Sequence, residues 1–510
     1  MRLLALAGLV AAAACTREPA FLPEYPAFDL LIENGRVVDG SGAPARVADV
    51  VVVGDTIVFV GDVPRVDDER VARVVDAAGR VVTPGFIDLH AHGDPLETPA
   101  FENFLAMGVT TITLGQDGSS PEVPDLAAWL AEVAERGIGT NLAMFVGHGT
   151  LRTQLGIGRR ARPEPEELER FRQTLDEILD YTFGMSTGLE YSPGLYAGRE
   201  ELVALAEVVG RHDRIVMSHM RNEDDDALEA SIAELLDQGR HARVHIAHLK
   251  SVYGKGAQRA REITALIEAA RAEGIELTAD SYPYSASYTS IAILFPDWAK
   301  TREQFDVARA TRREELADYL RNRVMLRNGP EATLLGTEPW TGRTLAEISN
   351  ELERPFEEVL IDVIGPDGAS AAYFVMNDAL QVALLDSPWV GICSDGSPTG
   401  SHPRGHGTFA KIIEDYVVRD GRLSLEQAVA KMTGFAADVL RLPDRGRIAE
   451  GLRADLLVFD PAAVRAHATY PEPLQFASGF DLVVVNGRVA REDGRLAPVR
   501  AGRVLRPVAP

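Results

Sequence analysis

Apolar and polar positions alternate with two different rhythms along this chain. Between Phe28 and Val63, short β-rich runs such as Asp29-Leu30-Leu31-Ile32, Val50-Val51-Val52-Val53 and Ile57-Val58-Phe59-Val60 are separated by Asn34-Gly35 and Gly54-Asp55. Those dipeptides suit tight hairpins. The rhythm returns near the other end, in Leu456-Leu457-Val458-Phe459 and in Val483-Val484-Val485-Asn486-Gly487-Arg488-Val489. Residues 28–82 and 441–510 therefore predict one small β-sandwich domain, formed from both terminal segments and interrupted by a long insert.

Within the insert, residues 83–440, short apolar runs alternate with amphipathic stretches. The runs fall at 85–88, 110–114, 141–146, 184–187, 215–218, 244–247, 276–279 and 390–393, with helical patterns such as Pro165 to Leu179, Arg199 to Val209 and Ala257 to Ala272 between them. Eight strands separated by helices predict an α/β fold of the (β/α)8 TIM-type barrel class, whose chemistry collects at the carboxyl ends of the strands. The segment around 285–375 is too long for one crossover, so part of it predicts a cap over the barrel mouth, helical over 344–364.

Composition narrows the classes. With 46% apolar residues the chain can bury a large core, and a net charge of −24 argues against a nucleic-acid partner. Met1-Arg2 and the apolar run Leu3 to Ala14 read as an export signal over 1–14, too short to span a bilayer. Ala12-Ala13-Ala14-Cys15 resembles a bacterial lipoprotein processing site. That resemblance implies cleavage before Cys15, lipidation of its sulfur, a tether over 15–27 and a periplasmic or cell-envelope protein whose only membrane contact is the lipid anchor. Cys15 and Cys393 alone supply no intrachain disulfide framework, and Cys393 reads as a packed barrel cysteine.

The strand ends carry the chemistry. His90 and His92, two residues apart on an extended segment, present their imidazoles on one face. Further ends read Gln116-Asp117-Gly118, Gly147-His148-Gly149, Glu190-Tyr191, Ser218-His219, Ala247-His248-Leu249-Lys250, Asp280-Ser281-Tyr282 and Ser394-Asp395-Gly396. Histidines and carboxylates at successive strand ends point to a divalent metal site, and imidazole with carboxylate suits zinc first. His245, out of step with His248, reads as structural.

Thr83-Pro84-Gly85-Phe86-Ile87-Asp88-Leu89-His90-Ala91-His92, the histidines after strands five and six, the aspartate after strand eight and the return motif Gly451 to Asp455 resemble the amidohydrolase superfamily. Phe145-Val146-Gly147-His148-Gly149-Thr150, Ser186-Thr187-Gly188-Leu189-Glu190-Tyr191, Ser218-His219-Met220-Arg221, Ala247-His248-Leu249-Lys250, Asp280-Ser281-Tyr282-Pro283-Tyr284 and Ser394-Asp395-Gly396 with His402-Pro403-Arg404 resemble its N-acyl-D-amino-acid deacylases. The resemblance implies metal residues at His90, His92, His219, His248 and Asp395, and hydrolysis of a small-molecule N-acyl-D-amino acid to a carboxylic acid and a free D-amino acid. Where those deacylases carry a cysteine ligand after strand two, this chain has Asp117. The bridging carboxylated lysine that many superfamily relatives use on strand four is unavailable, because no lysine precedes Lys250. A carboxylate bridge between two metals then falls to Asp117 or Glu190, with Asp117 the closer match, and an oxygen bridge admits manganese or iron beside zinc.

Asp395 is placed to take a proton from a metal-bound water and return it to the leaving amine. Lys250, Tyr282 and Arg404 are candidates for the product carboxylate, with Tyr191 and His148 as further pocket residues. Two other readings stay open: a dipeptidase-like amidohydrolase on the same scaffold, and a non-catalytic barrel lipoprotein. Arg302, Arg309 and Arg312 in the capping segment read as exposed helix arginines that would favour acidic substrates only if they faced the pocket.

Overall fold

The computed structural model describes residues 27–63 and 70–508. Cys15, the export signal and the tether up to residue 26 lie outside them. Eight short strands form a parallel barrel: β1 (Phe86–Asp88), β2 (Val109–Leu114), β3 (Asn141–Met144, continued by Val146–Gly147), β4 (Gly184–Gly188), β5 (Ile215–His219), β6 (Arg243–Ile246), β7 (Leu277–Ser281) and β8 (Val390–Ile392). Their residues are buried almost without exception, as expected of parallel strands covered on both faces. The barrel closes where β8 returns to β1. Asp395 N–H donates to the carbonyl of His90, and His92 N–H to the carbonyl of Gly396, both at 2.8 Å.

Amphipathic helices cover the barrel. Pro165–Ile178 turns Phe171 and Leu175 inward, and Arg199–Arg211 does the same with Leu202, Leu205 and Val209. Close backbone approach is needed between β2 and β3. Gly115 has φ +82°, and a Cβ there would stand 2.0 Å from the carbonyl oxygen of Phe145.

The terminal segments form one nine-stranded sheet. Val81–Pro84 joins its halves, pairing parallel with Leu30–Val37 and antiparallel with Leu456–Phe459, then runs directly into β1. Ile57 N–H donates to Leu452 O at 2.8 Å, so the far N-terminal edge bends back to the C-terminal half. Ile32, Val50, Ile57, Val458 and Val484 share one core inside this fold-over. The opposite face, with Leu457, Phe459, Phe480 and Val483, packs into the barrel core, where Phe86 meets Phe459 and Phe480 edge to face.

Between β7 and β8 the chain builds an insertion. Ser287–Ser290, Ser370–Tyr373 and Thr333–Leu335 make a three-stranded antiparallel sheet, accompanied by helices including Arg302–Thr311, Arg313–Leu326 and Leu345–Glu351. Phe295, Phe305, Leu320 and Ile361 belong to its separate core. The 344–364 stretch is helical but interrupted: a capping box between Thr344 and Glu347 starts Leu345–Glu351, and Pro355 separates it from Phe356–Val359. Among the described residues no helix is long and apolar enough to cross a membrane.

Candidate metal centre

Seven of the strand-end residues named from the sequence converge at the barrel mouth. His90 comes from the end of β1, with its Nε2 3.3 Å from Asp117 Oδ1 and 3.7 Å from Asp395 Oδ1. His92, on the same face, has Nε2 3.4 Å from Asp117 Oδ2 and 3.1 Å from Asp395 Oδ1. His219 Nδ1 and His248 Nε2 approach Asp117 Oδ1 to 3.5 and 3.2 Å and lie 3.0 Å from each other. Asp117 therefore stands among all four imidazoles. Glu190 reaches only one of them, His219, at 3.2 Å. Between the two candidates for the bridging place, the central position belongs to Asp117.

The backbone aims these groups. Asp117, His248 and Asp395 have φ of 53°, 38° and 49°, left-handed values that cost a non-glycine residue free energy and turn each side chain across the mouth. Asp88, at the end of β1, accepts from the N–H groups of His90 and Ser394 at 3.2 and 2.9 Å, stitching β1 to β8. Burial pushes its carboxyl up to about 7 against those hydrogen bonds. Behind β6, His245 Nε2 lies 2.9 Å from Asp280, whose carboxylate accepts from the N–H of His248. His245 is thus a structural support for a site histidine.

The electrostatics fit a bound cation. Four carboxylates, Asp117, Glu190, Glu223 and Asp395, contact the imidazoles, and the cations contacting those carboxylates are Lys250 and Arg404. Burial works against charge on His92, but Asp117 and Asp395 outweigh it and raise its pKa to about 10. Glu223, Asp117 and Glu190 do the same for His219, again to about 10. Fully buried His90 has neither ring nitrogen in a hydrogen bond. Surplus negative charge and an orphaned buried imidazole are what a divalent ion would satisfy. Among the described residues, three groups have the required geometry: His90, His92, Asp117 and Asp395; Asp117, His219 and His248; and Glu190, His219 and Glu223. Two of them share Asp117.

Lys250, Tyr282, Tyr191 and Arg404 line a cavity of about 300 Å³ beside this cluster. Arg404 is engaged on one side: its guanidinium pairs with Asp395 Oδ2 at 2.6 Å, donates to Tyr288 O at 3.1 Å and lies over the Tyr282 ring. Lys250 Nζ lies 2.8 Å from both Glu223 Oε1 and His248 Nδ1. Burial pushes the Tyr282 hydroxyl up to about 12, so it stays protonated as a donor. Cys393 is buried against Tyr282 and Tyr284, a packing residue.

One expectation is corrected, one is met and one residue is added. His148 does not face the cavity. It begins the helix His148–Gln154, with its Nε2 2.7 Å from Glu201 and its ring stacked on Phe171, so Glu201 and Arg152 hold it within the shell of helices. Arg302, Arg309 and Arg312 face outward and pair with Asp367, Asp362 and Glu315. Glu223 belongs to the cluster although sequence reasoning passed it over. It opens the acidic run Glu223-Asp224-Asp225-Asp226, which reads as a solvated loop, and its one usable signal is closeness to the end of β5.

Comparison with known proteins agrees with this geometry. Residues 131–491 match the amidohydrolase family. The chain is 32% identical to an N-acyl-D-glutamate deacylase of Alcaligenes xylosoxydans xylosoxydans, over 94% of this chain and 96% of that one. It is also 32% identical to a D-aminoacylase of the same organism, over 94% and 97%. The crystal structure of an N-acyl-D-glutamate deacylase from Bordetella bronchiseptica, complexed with zinc and a phosphonate mimic of the tetrahedral intermediate, superposes with a TM-score of 0.80 at 30% identity, covering 94% of this chain and all of that one. With its (β/α)8 barrel and a histidine–aspartate cluster at the barrel mouth, the chain belongs to the amidohydrolase family, among relatives of the D-aminoacylases.

Proposed function

We propose that this protein is a zinc-dependent deacylase that hydrolyses N-acyl-D-amino acids to a carboxylic acid and a free D-amino acid. The observation that carries the reading is Asp117 set among four imidazoles, with Asp395 closing the cluster beside a cavity whose wall holds Lys250, Tyr282 and Arg404. One or two ions held by His90, His92, Asp117, His219, His248 and Asp395 would polarise the scissile carbonyl and lower the pKa of a water. Asp395 moves the proton. Arg404 occupies Oδ2, which leaves Oδ1, on the side of His90 and His92, to accept a proton from the attacking water and pass it to the amide nitrogen as the C–N bond breaks. Burial opposes the charge on Asp395, but Arg404 and the imidazoles hold its pKa far below the usual range, so it is ionised and ready to accept.

The outer face of the Arg404 guanidinium, Lys250 and the Tyr282 hydroxyl would orient the α-carboxylate. The relatives named for D-glutamate and for D-amino acids in general are equally identical to this chain, so likeness alone does not choose the side chain. We also propose export and tethering through Cys15, supported by the Leu3 to Ala14 run before it.

The decisive test combines metal analysis with a chiral panel of N-acetyl amino acids and dipeptides. Stoichiometric zinc and turnover confined to N-acyl-D-amino acids are expected. Turnover of L-substrates or dipeptides alone, or protein active without metal, would refute the assignment. For the anchor, detergent partitioning that is lost in Cys15→Ser is the expected result, and equal partitioning of the two forms speaks against lipidation.

A further inference from the structure

The cavity wall contains a cation that this reaction scheme does not use. Arg327 follows the insertion helix Arg313–Leu326, its backbone N–H bonded to the carbonyls of Arg323 and Val324 at 3.2 and 3.0 Å. It is 2% exposed and lines the same cavity as the metal cluster. Its guanidinium lies over the Tyr373 ring, 4.8 Å from the centroid, and its buried Nε has no hydrogen-bond partner. The other wall cations are engaged, Lys250 by Glu223 and Arg404 by Asp395. Among the described residues no carboxylate lies within ion-pair distance of Arg327: Asp224 and Glu190 act on it only from farther off, Asp224 being paired with Arg323 at 3.3 Å, and its near polar neighbour is the Tyr253 hydroxyl.

A buried guanidinium with no carboxylate in contact is costly, and the cost is relieved when a ligand supplies one. Position says which part of the ligand that is. The α-carboxylate is one carbon from the scissile nitrogen, so it must lie close to Asp395, where Tyr282 and Arg404 stand. Arg327 comes instead from the insertion, which leaves it the side chain. Val252 and Ile293 line the same cavity and offer apolar surface for methylene groups.

We propose that Arg327 is the side-chain specificity residue, pairing with a substrate carboxylate, so that the preferred substrates are N-acyl derivatives of acidic D-amino acids. This rests on the deacylase reading above. N-Acetyl-D-glutamate and N-acetyl-D-glutamine have the same shape and differ in charge, so zinc-loaded enzyme should favour the glutamate in kcat/KM by about 10- to 100-fold, the range of a charge-assisted pair. Arg327→Met should remove the preference by lowering the value for glutamate while leaving that for glutamine within about 3-fold, and Arg327→Lys should keep part of it. Because loss of the guanidinium also disturbs the packing on Tyr373, product binding to the unaltered enzyme supplies a second measure. By calorimetry D-glutamate should bind about 10-fold tighter than D-glutamine, or better.

Equal rates on the two substrates, equal binding of the two products, or an Arg327→Met variant that loses both activities alike would overturn the assignment. Hydrolysis of N-acetyl-D-leucine with no preference for glutamate overturns the role of Arg327 and leaves the deacylase reading standing. Hydrolysis of no N-acyl-D-amino acid overturns both.

Discussion

Asp117 meets four imidazoles and Glu190 meets one, and that difference predicts unequal losses. Asp117→Ala should lower bound zinc, read by elemental mass spectrometry, and reduce kcat by about 10²- to 10³-fold, whereas Glu190→Gln should cost about 10-fold or less. Asp395→Asn separates proton transfer from metal binding. It should keep most of the zinc and lose about 10²- to 10⁴-fold in kcat, so near-normal turnover would contradict the role assigned to Oδ1. Glu223→Gln removes the anion that holds Lys250 and the His248 ring, and should raise KM and reduce zinc affinity by about 10-fold. At this scale the sequence was most legible where a residue ends a strand or comes within three residues of its end, as His90, Asp117, His219, His248 and Asp395 do. Glu223 and Arg327 escaped that rule because one lies in an acidic loop and the other in an insertion with a separate core. His148 obeyed the rule and still turned away, because Glu201 on the neighbouring helix holds it.

Most strands of the barrel were visible as short runs led by Val, Ile, Leu, Met and Phe, as burial on two faces favours, although β2, β4 and β7 mix in Thr, Ser and Asp. The insertion sheet was not. Its strands are as short as β1 and β8 but mix serine, threonine and tyrosine with alanine and leucine, so no apolar run marks them and neither period emerges. The turn that delivers Asp117 depends on Gly115, whose φ of +82° and contact with the Phe145 carbonyl leave no room for a side chain. Gly115→Ala should destabilise the protein by about 3 kcal/mol or more, seen as a lower midpoint in urea, because both the backbone angle and the spacing of β2 and β3 are violated.

The whole molecule depends on segments far apart in sequence being brought together in the terminal sheet. Asp55 pairs with Arg453 at 2.7 Å and Arg503 at 2.5 Å, joining the N-terminal segment to the C-terminal one. Burial raises its pKa, but Arg503, Thr56 and Arg453 outweigh this and lower it from 3.8 to about 2. A carboxylate lowered in this way contributes stability that is fully present above its unfolded pKa and lost as pH falls through the folded one. The stability gap between the native chain and Asp55→Asn should be about 1–2 kcal/mol at neutral pH and should close between about pH 4 and 2; a gap that persists in acid would contradict this origin. The β1–β8 closure has a consequence for biosynthesis. The ribosome makes His90 and His92 early, yet Asp395, and the strand that fastens it to them, emerge only after the insertion and all the intervening helices. A chain stopped before residue 395 therefore carries the imidazoles without the carboxylate that closes their cluster, and under the proposed mechanism it cannot turn over an amide.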